Sequence, residues 1–482
     1  MEHQDLAHAS AVLGAVGAPV LLLARSRLQL LLGLAVLLAG ELGLAYALVP
    51  DAPSLVVDSA PRIGALVVAA AFVAGLAVVF VRAPAAAPLA LLVAAPFRLS
   101  VSLGSQQAFL LLPFYVVLVA AGAALAYRVV RNDVREPIPT LVAAPASALV
   151  ALAGLSLLWT DDLRAGSVEL VFFYFPFAAL VAVVARTPLL PWTWRVLATA
   201  LVAMTSVFAA IGVYQAWSHT EILAKQDIQL ANAHESFFRV TAVFQDPSVY
   251  GRHLVLGMVV LLSALLLNRV RPAVGLPLLG LLAVGLYFSY SQTSFASLFA
   301  ATLVVTLIAG DRRMRGVVGG TAVALVVAAG IAVLVSINGD SASKVSRDRL
   351  PLARATLPVY VHHPVAGVGI GSQPLASRRE KDASRQKSKN VSHTTPLTIA
   401  AELGTIGLLV YLAFLAAIGK AILLTWQRHR PLGLVLAGSL TALVVQSLFY
   451  GGFFEDPFVW GIAALAGAAL TFIPDLSRVV PG

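Results

Sequence analysis

The chain has 482 residues, of which 59% are hydrophobic and only 12% charged, with a mean hydropathy of +0.89. Soluble domains carry about 25% charged residues, so this balance excludes an ordinary soluble globular protein. Cysteine is absent, which removes disulfides, thiolate nucleophiles and thiolate metal sites, and the net charge of +10 has to be read by position.

Apolar segments fall near 10–24, 28–50, 63–81, 84–96, 108–127, 141–159, 167–185, 195–217, 249–267, 273–288, 290–309, 317–336, 396–424, 432–450 and 458–473. Crossing a bilayer takes roughly 20 apolar residues, and the first and fourth segments are short enough to be interfacial or re-entrant. The expected fold is therefore all-α, a polytopic transmembrane bundle of about 13–15 spans. No segment reads as a cleaved signal peptide, because the first apolar run is followed at once by many more.

Basic clusters orient the bundle. Arg25–Arg27, Arg82, Arg128–Arg135, Arg186–Arg195, Arg269–Arg271, Asp311–Arg315 and Arg428–Arg430 occupy alternate connections and can all be cytoplasmic together. The segments 51–62, 97–107, 218–248, the Ser289–Gln292 corner, 337–395 and 450–457 then fall outside. An N-terminal set of spans, 1–217, is followed by a half, 218–482, that carries the two long outer loops 218–248 and 337–395. The first loop mixes Trp217, His219, Glu221, Phe237, Phe238 and Arg239, which suits a short interfacial helix. The second, just before the third-last span, holds ten basic against four acidic side chains on the side where cations are scarce. An anionic ligand would explain them.

Four constellations stand out. His363-Pro364, followed by Gly367 and Gly369, reads as a helix end passing into a tight turn, since proline stops a helix and glycine permits positive φ. Such a glycine run, preceded by no strand, is not a dinucleotide fingerprint. His393 precedes a helix that Thr394 or Thr395 can cap and that carries Glu402 among apolar residues. A carboxylate there is expected to face the bundle interior and to pair with an arginine or a hydroxyl. Arg239 to Ser248 leads to Arg252 and His253 at the mouth of another helix, which Asp246 or Ser248 can cap. Ser289 to Ser294 reads as a hydroxyl-rich corner with a structural role.

In order and spacing, these elements resemble the O-antigen ligase-like membrane proteins, a family that includes lipopolysaccharide O-antigen ligases and polysaccharide polymerases. The family pattern looks like His-Pro-x-x-Gly-x-Gly, a variable loop, a histidine, then Glu-x-Gly-x-x-Gly. Here it reads His363-Pro364-Val365-Ala366-Gly367-Val368-Gly369, then His393, then Glu402-Leu403-Gly404-Thr405-Ile406-Gly407. Upstream, Arg239-Val240-Thr241-Ala242-Val243-Phe244-Gln245-Asp246-Pro247-Ser248 is similar to Arg-x-x-Gly-x-Phe-x-Asn-Pro-Asn, with Ala242, Asp246 and Ser248 as departures. Arg349 stands where the family has an arginine before the His-Pro pair. Thr394 replaces the usual asparagine or serine after the histidine, and Gln292-Thr293 stands where a Ser-Arg pair is common. The resemblance spans roughly 236–475.

It implies a glycosyltransferase of the bacterial inner membrane that moves a glycan from an undecaprenyl-diphosphate-linked donor to a hydroxyl of a glycan or glycolipid acceptor, outside the membrane and with inversion. Arginine suits a pyrophosphate leaving group because it stays charged and binds in a fork. Arg239 and Arg349 are expected in that role, with Arg347, Arg354 and Arg252 as further candidates. His393 is the expected base, and Glu402 a catalytic or structural partner. The only expected partners are these substrates and the bilayer. No cofactor, acidic metal cluster or nucleic-acid partner is expected.

Ligase and polymerase share the donor and are not separated. A lipid-linked oligosaccharide flippase is the alternative, ranked lower because the polar residues gather at one face instead of at the midplane. A polyprenyl-phosphate glycosyltransferase using Asp51 and Asp58 is a third reading, and the shape, elongation, division and sporulation polymerases a fourth.

Overall fold

The computed structural model describes residues 2–49, 60–103, 106–134, 136–190, 192–234, 237–321, 349–380, 392 and 394–474. Asp51, Asp58, Arg347 and His393 lie outside these residues, as does most of the 317–336 segment. Twelve described helices are long and apolar enough to cross a membrane, from His3–Leu22 to Arg430–Ser447, and Pro457–Phe472 is a shorter apolar helix. The 84–96 segment forms only the nine-residue helix Ala86–Ala94. At about 1.5 Å per residue that helix covers less than half of the roughly 30 Å hydrocarbon layer. It feeds the one departure from all-α among the described residues, an antiparallel hairpin pairing Leu99–Leu103 with Gln106–Leu110.

Helices Leu163–Ala185 and Pro247–Leu266 are the most buried spans, whereas Ile63–Arg82 is almost wholly exposed, as a lipid-facing helix should be. The first two helices pack tightly because Gly17, Gly33 and Gly40 let their backbones approach. Between the central helices, Tyr174, Phe177, Phe414, Phe454 and Trp460 form a continuous aromatic core, with edge-on or tilted rings about 5.7–6.3 Å apart.

The basic connections gather at one end of the bundle. Arg25, Arg27, Asn132, Glu136 and Arg186 line a single cavity there. Arg186 is buried and donates to the carbonyls of Leu21 at 3.0 Å, Ala24 at 3.4 Å and Ala182 at 3.4 Å, tying the end of its own helix to the connection between the first two helices. Burial pushes its pKa down to about 10, so it stays charged at neutral pH. At the opposite end meet the hairpin, the Thr160–Asp162 turn, the 219–246 segment, the Ser289–Gln292 corner, the 364–373 turn and the 450–456 turn.

Replacing Arg186 with Met should lower stability by about 2–3 kcal/mol through the lost charge-assisted bonds. The thermal unfolding midpoint of the purified protein in detergent measures this, and an unchanged midpoint would show that the two connections hold without it.

Candidate functional site

The helix Arg349–His362 ends where the His363-Pro364 pair was expected to stop it. The chain then turns through residues 364–372 and enters the short helix Gln373–Arg379. This turn docks on a break in the long helix Thr395–Arg428, where Gly404 takes φ 65° and ψ −164°. The two segments exchange backbone bonds almost as strands do. Val368 donates to Ala401 (3.0 Å), Gly369 to the Glu402 carbonyl (2.8 Å), and Thr405 to Pro364 (2.7 Å). A side chain at Gly404 would strike the Val365 carbonyl, and one at Gly367 would strike the Glu402 carbonyl; both have positive φ. The two glycine motifs are thus halves of one joint.

Glu402 closes that joint. Its side chain is buried and accepts the backbone N–H of Gln373 at 3.2 Å, with the Gly371 backbone as a second hydrogen-bond partner. The expected partner was an arginine or a hydroxyl. Backbone amides take that place because positive φ at the glycines turns successive N–H groups to one side, making a concavity for an anion.

Gln373 carries the constraint onward. Its amide group donates to Thr356 Oγ1 (3.0 Å) and Ser377 Oγ (2.8 Å), and its oxygen accepts the Ser392 N–H (3.0 Å). Ser392 in turn accepts the Thr394 N–H on its hydroxyl and the Thr398 hydroxyl on its carbonyl, each at 3.3 Å. Both neighbours of His393 are therefore fixed. Thr394 occupies the N-cap position but makes no side-chain cap. Neither Gln373 nor Ser392 was singled out in the sequence, because an amide and a hydroxyl in a basic loop carry no charge or spacing signal.

The same turn leans on the Thr160–Asp162 segment, which sequence reading also missed. Thr160 Oγ1 donates to the Ile370 carbonyl (2.8 Å), and Asp162 N–H donates to Ser372 Oγ (2.9 Å). Asp162 also borders a cavity of about 460 Å³ whose lining mixes cations (Arg98, Arg164, Lys225, Arg252) with Glu169, Glu455 and Tyr450. The joint reaches this cavity from the other side as well, through Thr395 Oγ1 and the Tyr450 carbonyl at 3.4 Å.

Arg252 lies in the cavity wall but forms a buried ion pair with Asp456. Its guanidinium also lies over the Tyr450 ring, 5.4 Å from the centroid. Burial pushes the Asp456 carboxyl up; the adjacent Arg252 charge outweighs this and holds it below the usual carboxylate range. As expected, Asp246 caps the Pro247–Leu266 helix, accepting the Ser248 N–H at 2.7 Å. Its other oxygen accepts the Tyr450 hydroxyl at 3.2 Å.

Arg239 is half-buried, and its backbone is clasped by Asn232. Asn232 belongs to a nine-residue helix, Gln226–His234, inside the segment expected to hold a short one. Ala242, where the family pattern has glycine, takes φ 50°, and the Gln215 side chain accepts its N–H at 2.7 Å. Arg354 is exposed, on a face other than the buried one formed by Leu352, Ala355, Thr356 and Val359, so the joint does not include it. Arg349 begins the same helix, and its side chain lies outside the description. The Ser289–Ser294 hydroxyls satisfy local backbone and one another, as a structural corner should.

With this geometry in place, comparison with known proteins adds a family. A family model described as O-antigen ligase matches residues 277–412, the stretch that contains the turn, the joint and Glu402. Over these residues the chain is O-antigen ligase-like, as its motifs foretold, and the match supports a membrane glycosyltransferase of ligase or polymerase type. No curated protein matches the chain.

Glu402→Gln should keep the thermal midpoint nearly unchanged, because the amide oxygen still accepts from the turn. Glu402→Ala should lose about 1–3 kcal/mol for each amide left without a partner. A stable but inactive Glu402→Gln protein would instead give the carboxylate a chemical role.

Proposed function

We propose that the protein transfers a glycan from an undecaprenyl-diphosphate-linked donor to an acceptor hydroxyl at the extracytoplasmic end of the bundle, inverting the anomeric centre. The observation that carries this reading is the junction of two features. The O-antigen ligase-like joint fixes the chain on both sides of His393, and it abuts a polar cavity lined by both cations and carboxylates.

The leaving group is a pyrophosphate, which needs its charge stabilised more than it needs a strong acid. Preorganised guanidinium groups in a site shielded from bulk water do this without reorganising. Arg239 and Arg349 are assigned to that task, with Arg347 and Arg354 as lesser candidates. Arg252 is better suited to shaping the wall, because Asp456 already neutralises it. The acceptor hydroxyl must lose a proton as it attacks. Imidazole is the side chain whose ordinary pKa lies nearest neutrality, so His393 is the base. Glu402 acts on His393 through Gln373 and Ser392, as a positioning residue. Attack from the face opposite the diphosphate gives the inversion. The basic connections at the far end support a cytoplasmic orientation there, which leaves the cavity outside.

His393→Ala should abolish transfer from a defined lipid-diphosphate glycan while the protein still inserts and purifies normally, with product followed by mass spectrometry. Wild-type-like product formation would remove His393 from the chemistry. Arg349→Lys keeps the charge but loses the fork, and should cut the transfer rate at least roughly tenfold if the contact is bidentate. A full rate in that variant would reduce Arg349 to a simple loop charge.

A further inference from the structure

Away from the joint, a second cavity of about 180 Å³ lies between the spans. Its wall is apolar, formed by Leu91, Leu201, Leu256, Val260 and Ile462 among others. The nine-residue helix Ala86–Ala94 forms part of that wall through Pro88, Leu91 and Leu92. The volume is below the roughly 300 Å³ at which small-molecule pockets begin, so it suits a stretch of one hydrocarbon chain, not a whole ligand.

Polar character enters this lining mainly at Arg269. That arginine belongs to a cluster at the basic end of the bundle. Arg195 lies over the Trp194 ring at 5.4 Å, Trp194 meets the His429 ring edge-on at 4.7 Å, and Arg430 lies over Trp426 at 5.8 Å. Trp194 and Arg269 both line the cavity, so the Arg195–Trp194 pair and Arg269 border the same groove. Among the described residues no carboxylate forms an ion pair with Arg195, Arg269 or Arg430. The other cavity differs, since its arginines and lysine share their walls with Asp162, Glu169 and Glu455.

We propose that this groove is a binding site for an anionic glycerophospholipid of the cytoplasmic leaflet, with one acyl chain in the apolar cavity and the phosphate on Arg195 and Arg269. An apolar slot that ends at unneutralised cations and tryptophans matches a lipid from its tail to its interfacial headgroup. The donor's own polyprenyl tail fits less well. Its diphosphate belongs at the opposite end, so its tail would bring only hydrocarbon to the arginines. The site is thus separate from the proposed transfer reaction and does not depend on it.

The test uses the full chain, reconstituted in vesicles of phosphatidylcholine alone or mixed equally with phosphatidylglycerol, then extracted for native mass spectrometry. Wild-type protein should retain phosphatidylglycerol in preference to phosphatidylcholine. Arg195→Gln and Arg269→Gln should each weaken retention roughly fivefold. Both side chains are exposed, so these variants should fold. Gly461→Leu should displace the lipid with every cation intact, because a side chain there points into open space along the groove. Arg379→Gln, at the opposite end of the bundle where it pairs with Asp161, should change nothing. Equal retention of the two lipids, or arginine variants that hold phosphatidylglycerol as well as wild type, would overturn the proposal. One-for-one displacement by added polyprenyl phosphate would overturn it too, by giving the groove to the donor tail.

Discussion

A buried carboxylate held by backbone amides is the constraint on which the functional end of this molecule depends. Glu402 sits inside a membrane-spanning helix, where an unpaired charge would be costly. It is tolerated because the glycine turn delivers N–H groups to it, and the turn can do so only where Gly404 opens the helix. Each part makes the next possible. Without the break the turn has no backbone to pair with; without the turn the carboxylate has no partner. The arrangement gives a rigid seat in a bundle whose other contacts are largely non-directional apolar packing.

That seat transmits order along covalent and hydrogen-bonded steps of known length. From Glu402 it passes to the Gln373 backbone, through the Gln373 side chain to Ser392, and by one peptide bond to His393. Positioning of this kind matters in acyl and glycosyl transfer alike, because an error of about 1 Å at a reacting group can cost about a hundredfold in rate. A histidine at the edge of a long basic loop would otherwise lose that precision to backbone freedom. The three bonds of the Gln373 side chain, to Thr356, Ser377 and Ser392, join the helix Arg349–His362, the short helix Gln373–Arg379 and the loop end beside His393.

Much of this was legible in the sequence, for identifiable reasons. Spans declare themselves by length and hydropathy, and basic connections by their alternation, so the helical architecture and its two unlike ends followed directly. The His363-Pro364 stop and the Asp246 cap rest on local rules that tertiary structure did not override. What escaped was long-range pairing. Glu402 was expected to meet a charged or hydroxyl side chain, and nothing in a list of residues shows that backbone will serve instead. Asp456 gave no signal as the partner of Arg252, because 204 positions separate them. Thr160 and Asp162 looked like a plain connection until the 364–373 turn came down on them. Polar residues of ordinary type, such as Gln215 and Gln373, become specific only through the carbonyls and amides that the fold places around them. His393, Arg347 and the side chain of Arg349 stand beyond the described residues, so their roles rest on the resemblance and on the frame around them.

Ala242 shows how a departure from the family pattern can leave the frame intact. Its φ of 50° belongs to a region that L-residues other than Asn, Asp and Gly enter at a cost of about 1–2 kcal/mol. Glycine would avoid that cost, so the usual residue of the family has a direct physical reason. The alanine is compensated by Gln215, whose side chain accepts from the Thr241 and Ala242 amides and donates to the Ala242 carbonyl. Those three bonds are buried, and each contributes about 1 kcal/mol in such surroundings. The turn that carries Arg239 toward Asp246 therefore keeps its shape with a different residue at its tightest point. Rigidity at this position comes from a side-chain clamp that lies 27 residues away in sequence, which the residue at position 242 alone does not reveal.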